Sequence, residues 1–244
     1  MTVALAILLP VVLTATIQSL FGVGVLLFGT PLLLLLGYGF VKALTVLLPI
    51  SVAINLLQIA VHRAHIDWAL FKKVLAYTVP FIVLCLVLVT EWKINIYFLI
   101  GPFLLFVALK NFSPRIDLLL ESLVRYERGY LVAMGVVHGL TNLGGALLTA
   151  LVHSKNYDKD TTRVTTAIAY CTFALFQIAT LVVRGKTGDI DYAEHGIYVA
   201  TGIGVFLIVD RLVYTKIDNA KYKHFFAAFL FASGCLLIYK AVAQ

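Results

Sequence analysis

Residues 18–30 read QSLFGVGVLLFGT, and residues 138–150 read HGLTNLGGALLTA. Each stretch begins with a polar residue, continues through a glycine-containing interruption and ends in an apolar run. The similarity extends downstream, where Asn55-Leu-Leu-Gln58 corresponds to Ala174-Leu-Phe-Gln177. The two stretches begin 120 residues apart, so the chain contains an internal duplication. Duplicated membrane units, each with an interrupted hydrophobic segment, are typical of secondary transporters.

The composition places the chain in a lipid environment. Hydrophobic residues occupy 61% of its 244 positions and charged residues only 13%, and its mean hydropathy is +0.99. A soluble domain of this size could not bury so much apolar surface. Most of the uncharged stretches approach the roughly 20 residues needed to cross a bilayer core. We therefore predict an all-α, polytopic integral membrane helical bundle.

The duplication divides the chain into two predicted repeats, 1–112 and 129–244, joined by a linker at 113–128. Each repeat is expected to open with a Gly-broken helix or helical hairpin, at 4–36 and at 129–154. The other apolar segments are predicted to be membrane spans: 43–63, 70–90 and 94–110 in the first repeat, and 163–184, 193–214 and 223–243 in the second.

The distribution of lysine and arginine distinguishes two topologies. If each of eight segments crosses the bilayer once, 10 of these 19 residues lie on one face and 9 on the other. If residues 129–154 enter and leave by the same face, the division becomes 14 against 5, which is the bias expected of cytoplasmic loops. A hairpin and three further spans in each repeat would make the repeats inverted. Eight simple crossings remain the alternative.

Several classes of function are disfavoured by the motifs and the charges. The net charge of +7 comes from residues scattered among short loops, so we expect no nucleic-acid partner. The longest loop is the linker, where residues 116–121 form a candidate interfacial helix, and it leaves no room for an ATP-binding domain. Neither HExxH nor GxSxG occurs, so an enzyme is not expected. The three cysteines lie in apolar stretches, and we expect no disulfide, metal or cofactor.

The two glycine-rich interruptions predict a binding site where the repeats meet, near the bilayer midplane. Backbone freed from helical hydrogen bonds is tolerated in a membrane only where protein or a water-filled cavity satisfies it. Half-helices beginning at Gly22–Gly24 and Gly144–Gly145 would direct free N–H groups and positive dipole ends at this site, which suits an anion. The alternative is that the glycines only allow close helix packing.

Polar side chains at the breaks and on the following spans complete the candidate site, because such groups are costly to bury in a membrane. His138 can carry a coupling proton or act as a neutral hydrogen-bond partner. Lys42 and Arg163 open matching spans, where each can attract or gate an anion or anchor the helix at the headgroup boundary. The candidate substrate-binding residues are Gln18, Ser19, Gly22, Gly24, Asn55, Gln58, His138, Asn142, Gly144, Gly145 and Gln177.

The pattern Leu20-Phe21-Gly22-Val23-Gly24, followed by an apolar run, Pro31 and Gly37, resembles the TauE/SafE sulfite-exporter family, the 4-toluenesulfonate uptake permease group. The resemblance covers most of the chain, although the second copy has Thr141-Asn142-Leu143-Gly144-Gly145 where that family has a Phe-Gly pair. It implies a multi-pass protein of the bacterial inner (plasma) membrane. The implied partners are the lipid bilayer and a small anion such as sulfite, thiosulfate or a sulfonate.

These observations together predict a secondary transporter (permease) for a small, sulfur-containing organic or inorganic anion. Alternating access between the two repeats would carry the anion across the membrane. The alternatives are an anion channel and a non-transporting membrane assembly subunit. The sequence leaves open whether transport is import or export, whether protons or sodium ions are coupled to it, and whether the protein is a homo-oligomer.

Overall fold

The computed structural model describes residues 5–92, 94–110, 122–188, 190–213 and 219–243, apart from the side chains at 21, 110, 213 and 219–226. This part of the chain contains helices and no strand, so the prediction of an all-α membrane bundle is confirmed. The candidate interfacial helix at 116–121 lies outside the described residues. The helices are α1 (Leu5–Phe21), α2 (Val25–Leu35), α3 (Phe40–His62), α4 (Trp68–Tyr77), α5 (Val79–Glu91), α6 (Tyr97–Lys110), α7 (Glu127–Thr141), α8 (Gly145–Ser154), α9 (Lys159–Val183), α10 (Tyr192–Val213) and α11 (Asn219–Ala243).

Four segments in the described ranges are long and apolar enough to cross a membrane. Two of them, containing α3 and α9, are each 56% buried over their most apolar window, whereas the segment containing α10 is only 22% buried. The helices α3 and α9 therefore form the centre of the bundle, and α10 lies at its lipid-facing edge. The four segments are Phe40–His65, Trp68–Glu91, Lys159–Val183 and Tyr192–Leu212.

The segment Trp68–Glu91 consists of two helices that meet at Thr78, where we had predicted one span. Pro80 lies in the first turn of α5, and its missing amide hydrogen prevents the helix from continuing across that position. The Thr78 hydroxyl donates a hydrogen bond of 3.0 Å to the carbonyl of Leu131 in α7. This bond fixes the interruption against the first helix of the second repeat.

Several contacts between a helix of one repeat and a helix of the other have an equivalent contact between the two counterpart helices. α1 packs against α10, and its counterpart α7 packs against α5. In the same way, α3 packs against α10 and α9 packs against α5. Two further contacts, α3 with α9 and α6 with α11, join each helix to its own counterpart. This pattern supports the predicted duplication of the chain into two repeats.

Candidate functional site

Each break ends its first helix with a residue in the left-handed conformation, four positions after a candidate polar residue. Gly22 has a φ of +73° and Asn142 a φ of +63°. The amide of Gly22 donates to the carbonyl of Gln18 at 2.8 Å, and the amide of Asn142 donates to the carbonyl of His138 at 2.7 Å. Glycine adopts this conformation without strain, and asparagine tolerates it better than most residues. The two repeats thus stop their opening helices by the same backbone turn.

The second half-helix of each repeat begins close to the expected position. We expected starts at Gly22–Gly24 and Gly144–Gly145, and the structure has α2 beginning at Val25 and α8 at Gly145. Gly144 has an ordinary right-handed backbone, with φ −57° and ψ −10°. The turn at the second break is therefore made by Asn142, and Gly144 provides space rather than backbone freedom.

A chain of hydrogen bonds joins the first break to α3. The Gln18 side-chain oxygen accepts a bond of 2.9 Å from the amide of Val25, the first residue of α2. The Gln18 side-chain nitrogen donates to the Asn55 oxygen at 3.0 Å, and the Asn55 nitrogen donates to the Ser51 hydroxyl at 3.1 Å. All three side chains are at most 2% exposed. Gln18 therefore caps the amide end of α2 and fixes it to the central helix.

His138 occupies the position in the second repeat that corresponds to Gln18. Its Nε2 atom lies 3.2 Å from the side-chain oxygen of Gln177 on α9, so each break is joined to the central helix that follows it. The His138 Nδ1 and Gln177 Nε2 atoms are buried and have no hydrogen-bond partner. Both side chains are fully buried.

Tyr170 also lies at the second break, although it is not among the residues predicted from the sequence. Its ring lies edge-on to the His138 ring, with centroids 6.1 Å apart. A Cβ atom on Gly145 would overlap the Tyr170 hydroxyl, and this buried hydroxyl has no hydrogen-bond partner. The available signal was its position seven residues before Gln177, because residues two turns apart lie on the same helix face.

A direct hydrogen bond connects the second break to the first repeat. The Asn142 side-chain nitrogen donates to the hydroxyl of Thr30 on α2 at 2.9 Å. Both side chains have no exposed surface, and the Asn142 side-chain oxygen has no partner. The break at Asn142 is therefore held against α2, the half-helix that follows the other break.

Close approach explains the other glycines at the breaks. A Cβ on Gly24 would lie 2.5 Å from the backbone nitrogen of Gln18 and 2.8 Å from the carbonyl oxygen of Thr14. A Cβ on Gly144 would lie 2.5 Å from the Cβ of His138. Any larger residue would push each half-helix away from the helix that precedes it.

Two further candidates are buried with unused hydrogen-bonding capacity. The Ser19 hydroxyl and both polar atoms of the Gln58 side chain have no partner, and these residues are 0% and 2% exposed. Gln58 lies one helical turn beyond Asn55 on the same face of α3. The described structure does not bring Gln58 into a hydrogen bond with the Gln18–Asn55 chain.

The two candidate cations have different environments, although they open matching spans. Lys42 lines a surface cavity of about 560 Å³ whose lining includes no residue of either break. Arg163 is only 6% exposed, and its Cγ lies 3.6 Å from where a Cβ of Gly22 would be. Its guanidinium forms an ion pair with Asp210 at 2.5 Å and lies over the Phe206 ring, 5.7 Å from its centroid. Only Arg163 is therefore adjacent to a break.

Comparison with known proteins identifies one family. A family model described as Sulfite exporter TauE/SafE matches residues 7–237, nearly the whole chain. Neither a curated protein nor a solved structure matches the chain.

Proposed function

Because the chain belongs to the sulfite exporter TauE/SafE family, we propose that it carries a small, sulfur-containing oxyanion by alternating access. Membership makes it a multi-pass membrane transporter for a small anion, and not an enzyme. Sulfite, thiosulfate and a sulfonate are the proposed substrates. The bacterial inner membrane is the proposed location.

The two broken helices are the observation that carries this proposal. The breaks separate α1 from α2 and α7 from α8 at positions 120 residues apart in the sequence. The first break contacts α3 and the second contacts α9, in each case through buried polar side chains. A half-helix that begins inside a bundle presents unpaired amides and a partial positive charge, which favour a bound anion. Broken helices of this kind line the substrate sites of many secondary transporters.

The burial of the polar side chains around the breaks supports a carrier rather than an open channel. The polar side chains of the breaks, including Gln18, Asn55, His138 and Gln177, are at most 2% exposed. Two surface cavities, around Lys42 and around Arg125, are lined by other residues. A carrier must pass through a form in which its site is open to neither side, whereas an open channel would connect the site to both.

The test is anion exchange by purified protein in liposomes. Vesicles loaded with unlabelled sulfite should accumulate external radiolabelled sulfite transiently above its equilibrium level, because a carrier exchanges one anion for another. Thiosulfate and a sulfonate serve as alternative internal anions, and chloride serves as the control. Uptake that never exceeds equilibrium would indicate a channel, and uptake equal to that of protein-free vesicles would contradict the proposed function.

A further inference from the structure

The two breaks differ in their hydrogen bonding, and we propose that the anion binds at the second break, with the Tyr170 hydroxyl as a direct donor. This inference rests on the proposed function and specifies its site. The first break would then be a structural element that shapes the carrier. The second break would be the substrate-binding site, and Tyr170 would give this site its preference for oxyanions.

The amide end at the first break is already occupied by protein. Gln18 accepts the hydrogen bond from Val25 and donates to Asn55, so its two polar atoms are both used. Asn55 donates in turn to Ser51. An anion could reach the Val25 amide only by displacing Gln18, which would leave the Asn55 oxygen without its donor.

The amide end at the second break has no equivalent cap. His138 lies at the corresponding position, but its Nε2 atom contacts Gln177 and its Nδ1 atom has no partner. No described side chain accepts a hydrogen bond from the amide of Gly145, the first residue of α8. The Tyr170 hydroxyl occupies the place that a Cβ atom of residue 145 would take, so it lies directly against Gly145.

Three unpartnered polar groups belong to Tyr170 and His138, which contact this uncapped helix end, and to Gln177, which contacts His138. They are the Tyr170 hydroxyl, the Gln177 side-chain nitrogen and the His138 Nδ1 atom, and their residues are 3%, 0% and 0% exposed. Buried polar groups without partners are destabilising and uncommon in folded proteins. A bound anion would accept hydrogen bonds from the Tyr170 hydroxyl and the Gln177 nitrogen, which is a reason for these two groups to be retained at this position. The Nε2 atom of His138 donates to the Gln177 oxygen, so Nδ1 of the neutral ring is an acceptor and is not satisfied by an anion.

The chemistry of these groups suits an anion with several acceptor oxygens. Tyr170 offers an O–H donor, Gln177 an N–H₂ donor and Gly145 a backbone N–H donor. No described carboxylate makes a hydrogen bond to any of the three. Sulfite and the sulfonate group each present three oxygens from one small centre, so one anion could accept from all three donors. A halide has no such separated acceptors.

A pair of tyrosine variants tests the role of Tyr170. Tyr130 is a matched control, because it is also buried near α8 but its hydroxyl donates to the carbonyl of Leu147 at 2.7 Å. Tyr170→Phe should leave the melting temperature of the anion-free protein unchanged or higher, and should weaken sulfite affinity about tenfold, or about 1.4 kcal/mol. Tyr130→Phe should lower the melting temperature and leave sulfite affinity unchanged.

Affinity is measured by titrating purified detergent-solubilised protein with sulfite and following its thermal stability. Equal sulfite affinity in wild type and Tyr170→Phe would overturn the role of Tyr170 and leave the proposed function intact. A wild-type protein that responds to none of sulfite, thiosulfate and a sulfonate would contradict the proposed function itself. If Tyr170→Phe does not fold, Gln177→Leu replaces it and should also weaken sulfite affinity about tenfold. Equal sulfite affinity in wild type and Gln177→Leu would then overturn the proposed site.

Discussion

Lys155 Nζ lies 2.5 Å from Glu127 Oε2, so the residue that follows α8 contacts the residue that begins α7. The Tyr130 hydroxyl also reaches back to the carbonyl of Leu147. The segment between Glu127 and Lys155 therefore turns back on itself at the second break. This contact favours the hairpin over a single crossing of the bilayer by this segment.

Other ion pairs also join loops that the hairpin topology places on the same face of the membrane. Glu127 also binds Lys73 at 2.7 Å, and the hairpin topology places Lys73 and Lys155 on the same, more basic face. On the opposite face, Arg184 binds Glu91 at 2.8 Å. Among the described residues, no ion pair joins groups that this topology places on different faces. Inverted repeats stay a prediction, and these contacts support it.

The topology can be tested by labelling single cysteines. Glu127→Cys and Lys155→Cys, each in a background without the native cysteines, should react with a membrane-impermeant maleimide from the same side of sealed vesicles. Arg184→Cys is the control and should react from the other side. Labelling of positions 127 and 155 from opposite sides would exclude the hairpin.

The contacts of Glu127 predict a dependence of stability on pH. Hydrogen bonds from Lys155 and Lys73 lower the pKa of Glu127 below its ordinary value of 4.5. A lowered carboxyl pKa stabilises the folded state above the ordinary value, and this contribution is lost as the pH falls through the folded-state pKa. Glu127→Gln should therefore lower the melting temperature at pH 7, with a smaller difference from wild type below pH 4.5. A difference that is constant with pH would contradict this account.

The close packing of Gly24 predicts that a large residue there impairs transport, whereas a large residue at Gly204 does not. Gly24→Leu should reduce sulfite exchange at least tenfold, because its side chain would meet the backbone of α1 at Gln18 and Thr14. Gly204→Leu is the matched control, since a Cβ at Gly204 would meet no atom within 4 Å. Both variants should insert into the membrane, as judged by yield and gel filtration. Full exchange by Gly24→Leu would show that the first break need not be tightly closed.

The hydrogen bonds of Gln18 predict that substitutions at Gln18 and at the neighbouring Ser19 have different effects on the stability of the folded protein. Gln18→Met should destabilise the protein by about 1–3 kcal/mol, because the Val25 amide and the Asn55 oxygen would lose their partners. Ser19→Ala should be neutral or stabilising, since the Ser19 hydroxyl is buried without a partner. Chemical denaturation of the two variants measures both effects. Equal destabilisation would contradict the capping role of Gln18.

Much of this architecture could be predicted from sequence, because it depends on strong local signals. The glycines and polar residues at 22–24 and 142–145 interrupt long apolar runs, and the structure has its helix breaks there. The family also follows from the motif at 20–24 and is confirmed by the family model. Helix boundaries such as α3 at Phe40–His62 agree closely with the expected 43–63.

The side-chain contacts of the site could not be predicted in the same way. Tyr170 lies in the apolar sequence Ala-Ile-Ala-Tyr-Cys-Thr-Phe, where an aromatic residue is typical of a packed core. Its approach to Gly145 depends on how α8 and α9 meet, which is a tertiary relationship. The bond from Asn142 to Thr30 links residues 112 apart in the chain. Likewise, the different environments of Lys42 and Arg163 could not follow from their equivalent sequence positions.

The most direct test of the account is to locate the bound anion. Selenite is a heavier analogue of sulfite, and its anomalous scattering would mark its position in crystals of the wild-type protein. We expect one selenium peak within hydrogen-bonding reach of Tyr170, Gln177 and the amide of Gly145. A peak confined to the surface, for example in the cavity beside Lys42, would contradict an anion site at the paired helix breaks.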